Sequence, residues 1–176
     1  AVCFLDLDNF KSVNDTLGHN CGDKLLSIIP SLLQPKLRDV DYLARLSGDE
    51  FGLILENIES AAEVNKIVQC YLDVFDDIIE VENYELKTSV SIGIAMYPRA
   101  GTDPDTLIKH ADIAMYRAKG LGKNTFAFFD EQTNALIQHR HQVGVAMRQA
   151  LNSDQFHLVY QPQVSANNCK IMGVEV

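Results

Sequence analysis

The sequence predicts an α+β domain built on one mixed β-sheet with helices packed against it. Three observations carry this expectation. Short apolar runs with strand character recur at 2–5, 42–46, 51–55, 84–97 and 125–129. Stretches with apolar residues every three or four positions, the period of a helix face, lie between them. A tight turn, Ser47-Gly48-Asp49-Glu50, joins two of the runs into a β-hairpin.

Residues 2–5 read as a buried strand with the polar end Asp6-Leu7-Asp8. A helix is expected to start near Asp23, whose carboxylate can cap the amides ahead of Leu25, Leu26, Ile28, Ile29, Leu32 and Leu33. Pro30 and Pro35 predict a kink or an early stop there. After the hairpin, Val64, Ile67, Val68, Tyr71, Leu72, Phe75, Ile78 and Ile79 predict an amphipathic helix over 61–79. Residues 84–97, rich in Val, Ile and Thr, form one long strand or a strand pair. Asp103-Pro104 opens a second helix, with Leu107, Ile108, Ala111, Ala114, Met115 and Ala118 on its apolar face and Gly120 and Gly122 ending it. Residues 125–129 close the sheet. The order β-α-β-β-α-β-α-β is ferredoxin-like.

After Asp130 the character changes. Residues 131–151 carry Leu136, Val143, Met147 and Ala150 on one face, and Asn152-Ser153-Asp154 breaks the pattern. Residues 156–164 and 170–176 read as two strands joined by Ser165-Ala166-Asn167-Asn168. The expected division is a first domain over 1–130, a connecting helix over 131–155 and the start of a second domain at 156–176.

Composition narrows the function classes. The 176 residues, 47% hydrophobic and 22% charged, suit one core plus a fragment of another and exclude disorder or a collagen-like repeat. Fifteen Lys and Arg against 24 Asp and Glu leave a net charge of −9, which disfavours a nucleic-acid polymer as partner. A small phosphorylated ligand held by local lysines, arginines and metal ions remains open. Cys3, Cys21, Cys70 and Cys169 show no CxxC spacing, so neither a zinc nor a disulfide framework is expected, and a reducing cytoplasm fits. No apolar run approaches the ~18 residues of a membrane span, and residues 1–10 lack a signal-peptide profile. No membrane segment is therefore expected here, although an upstream region of a longer protein could carry an anchor.

Asp6 and Asp8 stand two apart on a strand end, so their carboxylates share a side. The hairpin adds Asp49 and Glu50. Three or four carboxylates at one sheet edge repel unless hard cations such as Mg²⁺ sit between them. Either cluster alone also reads as solvated acidic caps at a strand end and a turn.

Together the pieces form a longer string. Asp6-Leu7-Asp8-Asn9-Phe10-Lys11-Ser12-Val13-Asn14-Asp15, then Gly18-His19 and Gly22-Asp23, resembles the first half of the GGDEF diguanylate cyclase signature. Arg45-Leu46-Ser47-Gly48-Asp49-Glu50-Phe51 resembles its name-giving loop. Ser91-Ile92-Gly93-Ile94-Ala95, Ala111-Asp112, Met115-Tyr116, Ala118-Lys119 and Gly122-Lys123-Asn124 resemble its later blocks. Phe156-His157-Leu158-Val159-Tyr160-Gln161-Pro162-Gln163-Val164, with Gly173-Val174-Glu175-Val176, resembles the start of an EAL phosphodiesterase domain, as in tandem GGDEF–EAL proteins.

The resemblance implies a fold like polymerase palms and nucleotidyl cyclases, and condensation of two GTP molecules into cyclic di-GMP with release of two pyrophosphates. Each domain holds one GTP, so a homodimer is implied. By motif position, Asp6, the Leu7 carbonyl, Asp49 and Glu50 would ligate Mg²⁺ (or Mn²⁺), and Asp49 would take the 3′-hydroxyl proton. Asn14 and Asp23 match guanine readers, since Asp accepts from the donors that distinguish guanine from adenine. His19 matches a substrate-pocket position or is a structural turn contact. Lys11, Lys119 and Lys123 match phosphate-contacting positions, with Lys11 counted in the catalytic set, and Phe10 and Gly48 complete the substrate set. Lys123 stands where the family often has Arg, which keeps charge but loses bidentate geometry. Arg38 and Asp41, an RxxD six residues ahead of Ser47, match the family's product-inhibition site for cyclic di-GMP.

Ser47 departs from the pattern, where the first Gly is expected. At a position needing positive φ it would cost on the order of 1 kcal/mol or crowd the nucleotide. Two readings follow. One is a working diguanylate cyclase with a product-inhibition site. The other is a degenerate GTP-binding regulatory domain controlling an attached EAL phosphodiesterase. A plain ferredoxin-like interaction domain would require every motif to be coincidence.

Overall fold

The computed structural model describes residues 1–131 and, beyond them, 143, 146–147, 149–151, 153, 155, 158–166 and 170–175. The chain divides into two compact units, Ala1–Asn134 and Ala135–Val176.

In the first unit β1 (Val2–Leu7) lies in the middle of a five-stranded sheet of order β2-β3-β1-β6-β7. β3 (Glu50–Ile54) and β6 (Val90–Ala95) flank it, both antiparallel. β2 (Tyr42–Ser47) pairs antiparallel with β3 at one edge, and β7 (Thr125–Phe128) runs parallel to β6 at the other. A parallel pair needs a crossover, and α4 (Pro104–Gly120) supplies it. β1 is covered on both faces, which is why its sequence is a continuous apolar run rather than an alternation. Cys3, Leu5 and Leu7 pack with Leu25, Ile29 and Leu33 of α2 (His19–Leu33) and with Val64, Val68 and Tyr71 of α3 (Ala61–Asp73). Phe4 packs instead with Leu107, Ala111 and Met115 of α4. α4 approaches so closely that a Cβ on Gly93 would lie 1.9 Å from the Ala111 carbonyl oxygen.

Several expectations are corrected. A separate helix, α1 (Phe10–Leu17), precedes α2, and α2 starts at His19 rather than near Asp23. Its cap residue is Gly18, and Asp23 sits exposed inside the helix. The early start buries Cys21 and Gly22, and a Cβ on Gly22 would strike the Asn14 carboxamide at 2.0 Å. Pro30 does not stop α2, because Leu26, Ile29 and Leu33 hold its buried face through to Leu33; a 3₁₀ turn containing Pro35 follows. α3 ends at Asp73, not near 79. Phe75 and Ile79 keep the same core but reach it from a 3₁₀ turn and from β4 (Ile79–Val81). β4 pairs with β5 (Tyr84–Leu86) in a separate hairpin, so residues 84–97 contain two strands of different sheets.

The helix boundaries of α4 agree with expectation: Asp103 accepts from the Thr106 amide at 2.9 Å, Pro104 opens the first turn and Gly120 ends it. In the second unit β8 (Gln161–Val164) and β9 (Ile171–Glu175) form an antiparallel pair within the two expected strand regions. Most of the expected connecting helix, with residues 156–157 and 176, lies outside the described residues. No helix among the described residues is long and apolar enough to cross a membrane.

Candidate active site

The site forms where β1 ends and the β2–β3 hairpin turns beside it. Register places Asp6 opposite Glu50, and the Leu7 amide donates to the Asp49 carbonyl at 3.3 Å. The turn is held by Arg45, whose Nε donates to the Gly48 carbonyl at 2.9 Å. Gly48 takes the left-handed conformation, φ 45°, that L side chains rarely adopt. Ser47 is the last residue of β2 and is not among the residues with positive φ. The backbone strain expected of Ser47 is therefore absent, because the left-handed position is Gly48. Ser47 instead donates its hydroxyl to Glu50 Oε2 at 2.6 Å.

Asp6 is buried, and Lys119 from α4 pairs with it, Nζ to Oδ1 2.7 Å. Burial pushes the Asp6 carboxyl up, Lys119 opposes this, and nearby Asp49 and Glu50 add to the rise. Asp112, two turns before Lys119 on the same face of α4, has its carboxyl raised by burial and then by Glu50. It lines a cavity of about 410 Å³ with Phe4, Glu50, Asp105, Ile108 and Lys109. Sequence reasoning did not single out Asp112 as a site residue; its seven-residue spacing from Lys119 along one helix was the available signal.

Asp8 has a different role from Asp6. It is buried and accepts from Ser89 Oγ at 2.6 Å, Ser91 Oγ at 2.7 Å and the Asn124 amide at 3.0 Å. It thus ties the end of β1 to β6 and to the turn before β7. Beside it Lys123 Nζ donates to Asn9 Oδ1 at 2.6 Å, and Asn9, Lys123 and Asn124 all have positive φ. Lys119 and Lys123 therefore both converge on the corner between β1 and α1.

Phe10 is buried at the start of α1, and Lys11 is exposed beside it. Asn14 sits against Gly22, next in sequence to Asp23, which brings the two expected guanine readers onto neighbouring helices. His19 is exposed at the start of α2. At the opposite end of β2, just before Tyr42, Arg38 forks onto Asp41, with Nε to Oδ2 2.9 Å and Nη2 to Oδ1 2.7 Å. Burial pushes the Asp41 carboxyl up, but the bonds from Arg38 outweigh it and hold the group below its usual range. The Asp41 side chain is inaccessible, so it lies behind Arg38 rather than open to a ligand. Among the described residues, no three His, Cys, Asp or Glu side chains converge closely enough to hold a metal ion.

Comparison with known proteins gives a consistent picture. The family described as diguanylate cyclase, GGDEF domain, matches residues 1–125. Over 99% of its length the chain is 42% identical to the bifunctional diguanylate cyclase/cyclic di-GMP phosphodiesterase MucR of Pseudomonas aeruginosa, covering 25% of that protein. It is 37% identical, again over 99% of its length, to the cyclic di-GMP phosphodiesterase NbdA of the same organism, covering 22%. The chain thus spans about a quarter of the length of these curated relatives. Among solved structures, the GGDEF domain of TpbB (YfiN) from Pseudomonas aeruginosa superposes with TM-score 0.75 at 35% identity, covering 78% of this chain and 80% of that one. The GGDEF domain of DgcB from Caulobacter crescentus, in complex with c-di-GMP, gives 0.64 at 27% identity, covering 72% and 75%. The α+β sheet flanked by helices is the palm-like fold of these structures.

Proposed function

The chain belongs to the GGDEF diguanylate cyclase family, and from that premise we propose that its first unit binds GTP and condenses two GTP molecules into cyclic di-GMP within a homodimer. The observation that carries this reading is the β1–β3 register, which sets Asp6 opposite Glu50 with Asp49 bonded to the same strand end. The donors there are all oxygens, the set that Mg²⁺ or Mn²⁺ accepts. The Asp6 carboxyl, raised chiefly by burial and further by Asp49 and Glu50, fits the same need, since a cation would favour its charged form against both.

Asp6, the Leu7 carbonyl, Asp49 and Glu50 would hold the cations, which requires Lys119 to release Asp6 and the three carboxylates to draw closer than they stand in this structure. When bound there, they would screen charge on the entering and leaving oxygens of the α-phosphate. Asp49 accepts the proton of the attacking 3′-hydroxyl. That oxygen bonds to the α-phosphorus of the partner's GTP, the bridge to the β-phosphate breaks, and pyrophosphate leaves; the reciprocal attack closes the ring. Lys11, Lys119 and Lys123 neutralise phosphate charge, with Lys119 exchanging Asp6 for phosphate. Asn14 and Asp23 select guanine, with Phe10, His19 and Gly48 shaping the pocket. Arg38, held from behind by the inaccessible Asp41, forms the inhibitory site for cyclic di-GMP.

A second reading rests on Ser47. Its hydroxyl occupies a carboxylate oxygen of Glu50, and the chain is also similar to a cyclic di-GMP phosphodiesterase. In that reading the unit binds GTP without turnover and regulates an EAL phosphodiesterase domain beginning near residue 156. Incubating the protein with GTP and Mg²⁺ and assaying cyclic di-GMP decides between them. Product that disappears in Asp49→Ala supports the cyclase. GTP binding without product supports the regulatory domain.

A further inference from the structure

Arg38 is clasped on several sides. Besides the fork onto Asp41, its Nη2 donates to the Glu56 carbonyl at 2.8 Å and its Nη1 to Glu63 Oε1 at 3.3 Å. The Asp41 side chain is wholly inaccessible, whereas those of Arg38 and Glu63 are 34% and 35% exposed. The Nε–Nη2 edge of the guanidinium is thus turned inward onto Asp41, and Glu63 stands at the Nη1 edge.

Glu63 is not a loose surface carboxylate. Its amide donates to Ser60 Oγ at 3.2 Å, and its Oε2 accepts from the Glu59 amide at 3.0 Å. This cap at the start of α3 divides the two carboxylate oxygens, one anchored on the helix entry and one facing Arg38. A phosphodiester arriving at Arg38 meets a fixed negative charge of its own sign, already bonded to the donor it needs.

We propose that Glu63 is an internal competitor for Arg38, which an anionic nucleotide must displace, and that it sets the affinity of this site. The proposal rests on reading Arg38 and Asp41 as a site for cyclic di-GMP. A neutral amide at 63 removes the competing charge and the repulsion of the ligand's phosphates. Glutamine also serves at this position of a helix cap, so the fold is kept.

Isothermal titration of cyclic di-GMP into the parent, Glu63→Gln, Glu63→Lys and Arg38→Ala tests this, with a melting curve for each. Glu63→Gln should bind about fivefold more tightly than the parent at low salt, and Glu63→Lys more tightly still. The gain should shrink as salt screens the charges. Arg38→Ala should bind at least tenfold more weakly. If Arg38→Ala weakens binding while Glu63→Gln and Glu63→Lys match the parent, Glu63 is only a helix cap and the competitor is overturned, with the site reading left intact. If Arg38→Ala binds like the parent, or if neither the parent nor Glu63→Gln binds, the site reading fails and takes the competitor with it.

Discussion

Ser47 donates its hydroxyl to Glu50 Oε2 over 2.6 Å, across the turn that carries Gly48 and Asp49. The residue that departs from the family motif therefore acts on a carboxylate of the proposed metal site, and not through backbone strain. The hydroxyl fixes one oxygen of Glu50 and lowers its capacity to donate to a cation.

Removing the hydroxyl should strengthen metal use. Ser47→Ala keeps the strand backbone, so it isolates the hydroxyl from the loss of rigidity that Gly would bring. The Mg²⁺ concentration giving half-maximal product formation should fall about threefold, in line with a partly exposed hydrogen bond of under about 1 kcal/mol. An unchanged Mg²⁺ dependence would show that the Ser47–Glu50 bond opens freely when the site fills.

Asp49→Ala should abolish metal-dependent turnover while leaving the fold intact. Loss of a metal ligand and proton acceptor should lower product formation by about a hundredfold or more. Asp49 lies in a turn and is half-buried, so stability should change by only about 0.5 kcal/mol. The paired measurements are product formation and a denaturant melt. Undiminished product would remove Asp49 from the site.

Asp6 makes stability depend on pH in a defined direction. Its folded pKa lies above the unfolded value of about 3.9, so between the two the folded chain binds more protons. The contribution is fully present below about pH 4 and is lost as pH rises through the folded value. Asp6→Asn should flatten this part of the melting-temperature profile, while Asp112 keeps its own slope in both proteins. At pH 7, Mg²⁺ should raise the melting temperature of the parent and have a smaller effect on Asp6→Asn. Parallel pH profiles with equal Mg²⁺ shifts would disprove the assignment.

The elements read correctly from sequence are those whose signals are local. Asp103-Pro104 and Gly120 bracket α4, and the hairpin turn sits where Gly48 permits a left-handed residue. α1 gives little sequence signal, because Phe10, Val13 and Leu17 are its only three apolar positions among polar neighbours. The start of α2 is hidden because its cap residue, Gly18, bonds through no side chain. β4 mimics the end of α3 because Ile78 and Ile79 continue the helical period by coincidence. At the site, Asp6, Asp49 and Glu50 were recognisable as a motif. The partners of Asp8 were not, because Ser89, Ser91 and Asn124 lie 81, 83 and 116 residues away. Only the sheet register brings such residues together.

Gly93 couples the fold to the site. It lies in β6 under α4, where an added Cβ would fall 1.9 Å from the Ala111 carbonyl oxygen and 2.1 Å from the Met115 amide nitrogen. Both are backbone atoms, so no side chain can swing aside; the helix itself must move. Gly93→Ala should therefore destabilise the domain by about 1–3 kcal/mol, as overpacking does in a dense core. The displaced helix also carries Lys119, whose Nζ lies 2.7 Å from Asp6 Oδ1. Any product formed by Gly93→Ala should fall by more than its folded fraction explains, because Lys119 and Asp6 no longer meet in register. Gly120→Ala, at the end of the same helix with no atom within 4 Å of an added Cβ, is the control and should leave both properties near the parent. Urea denaturation gives the stability difference, and product formation normalised to folded protein gives the second effect. Equal stability of parent and Gly93→Ala would mean that α4 can lift from the sheet without loss.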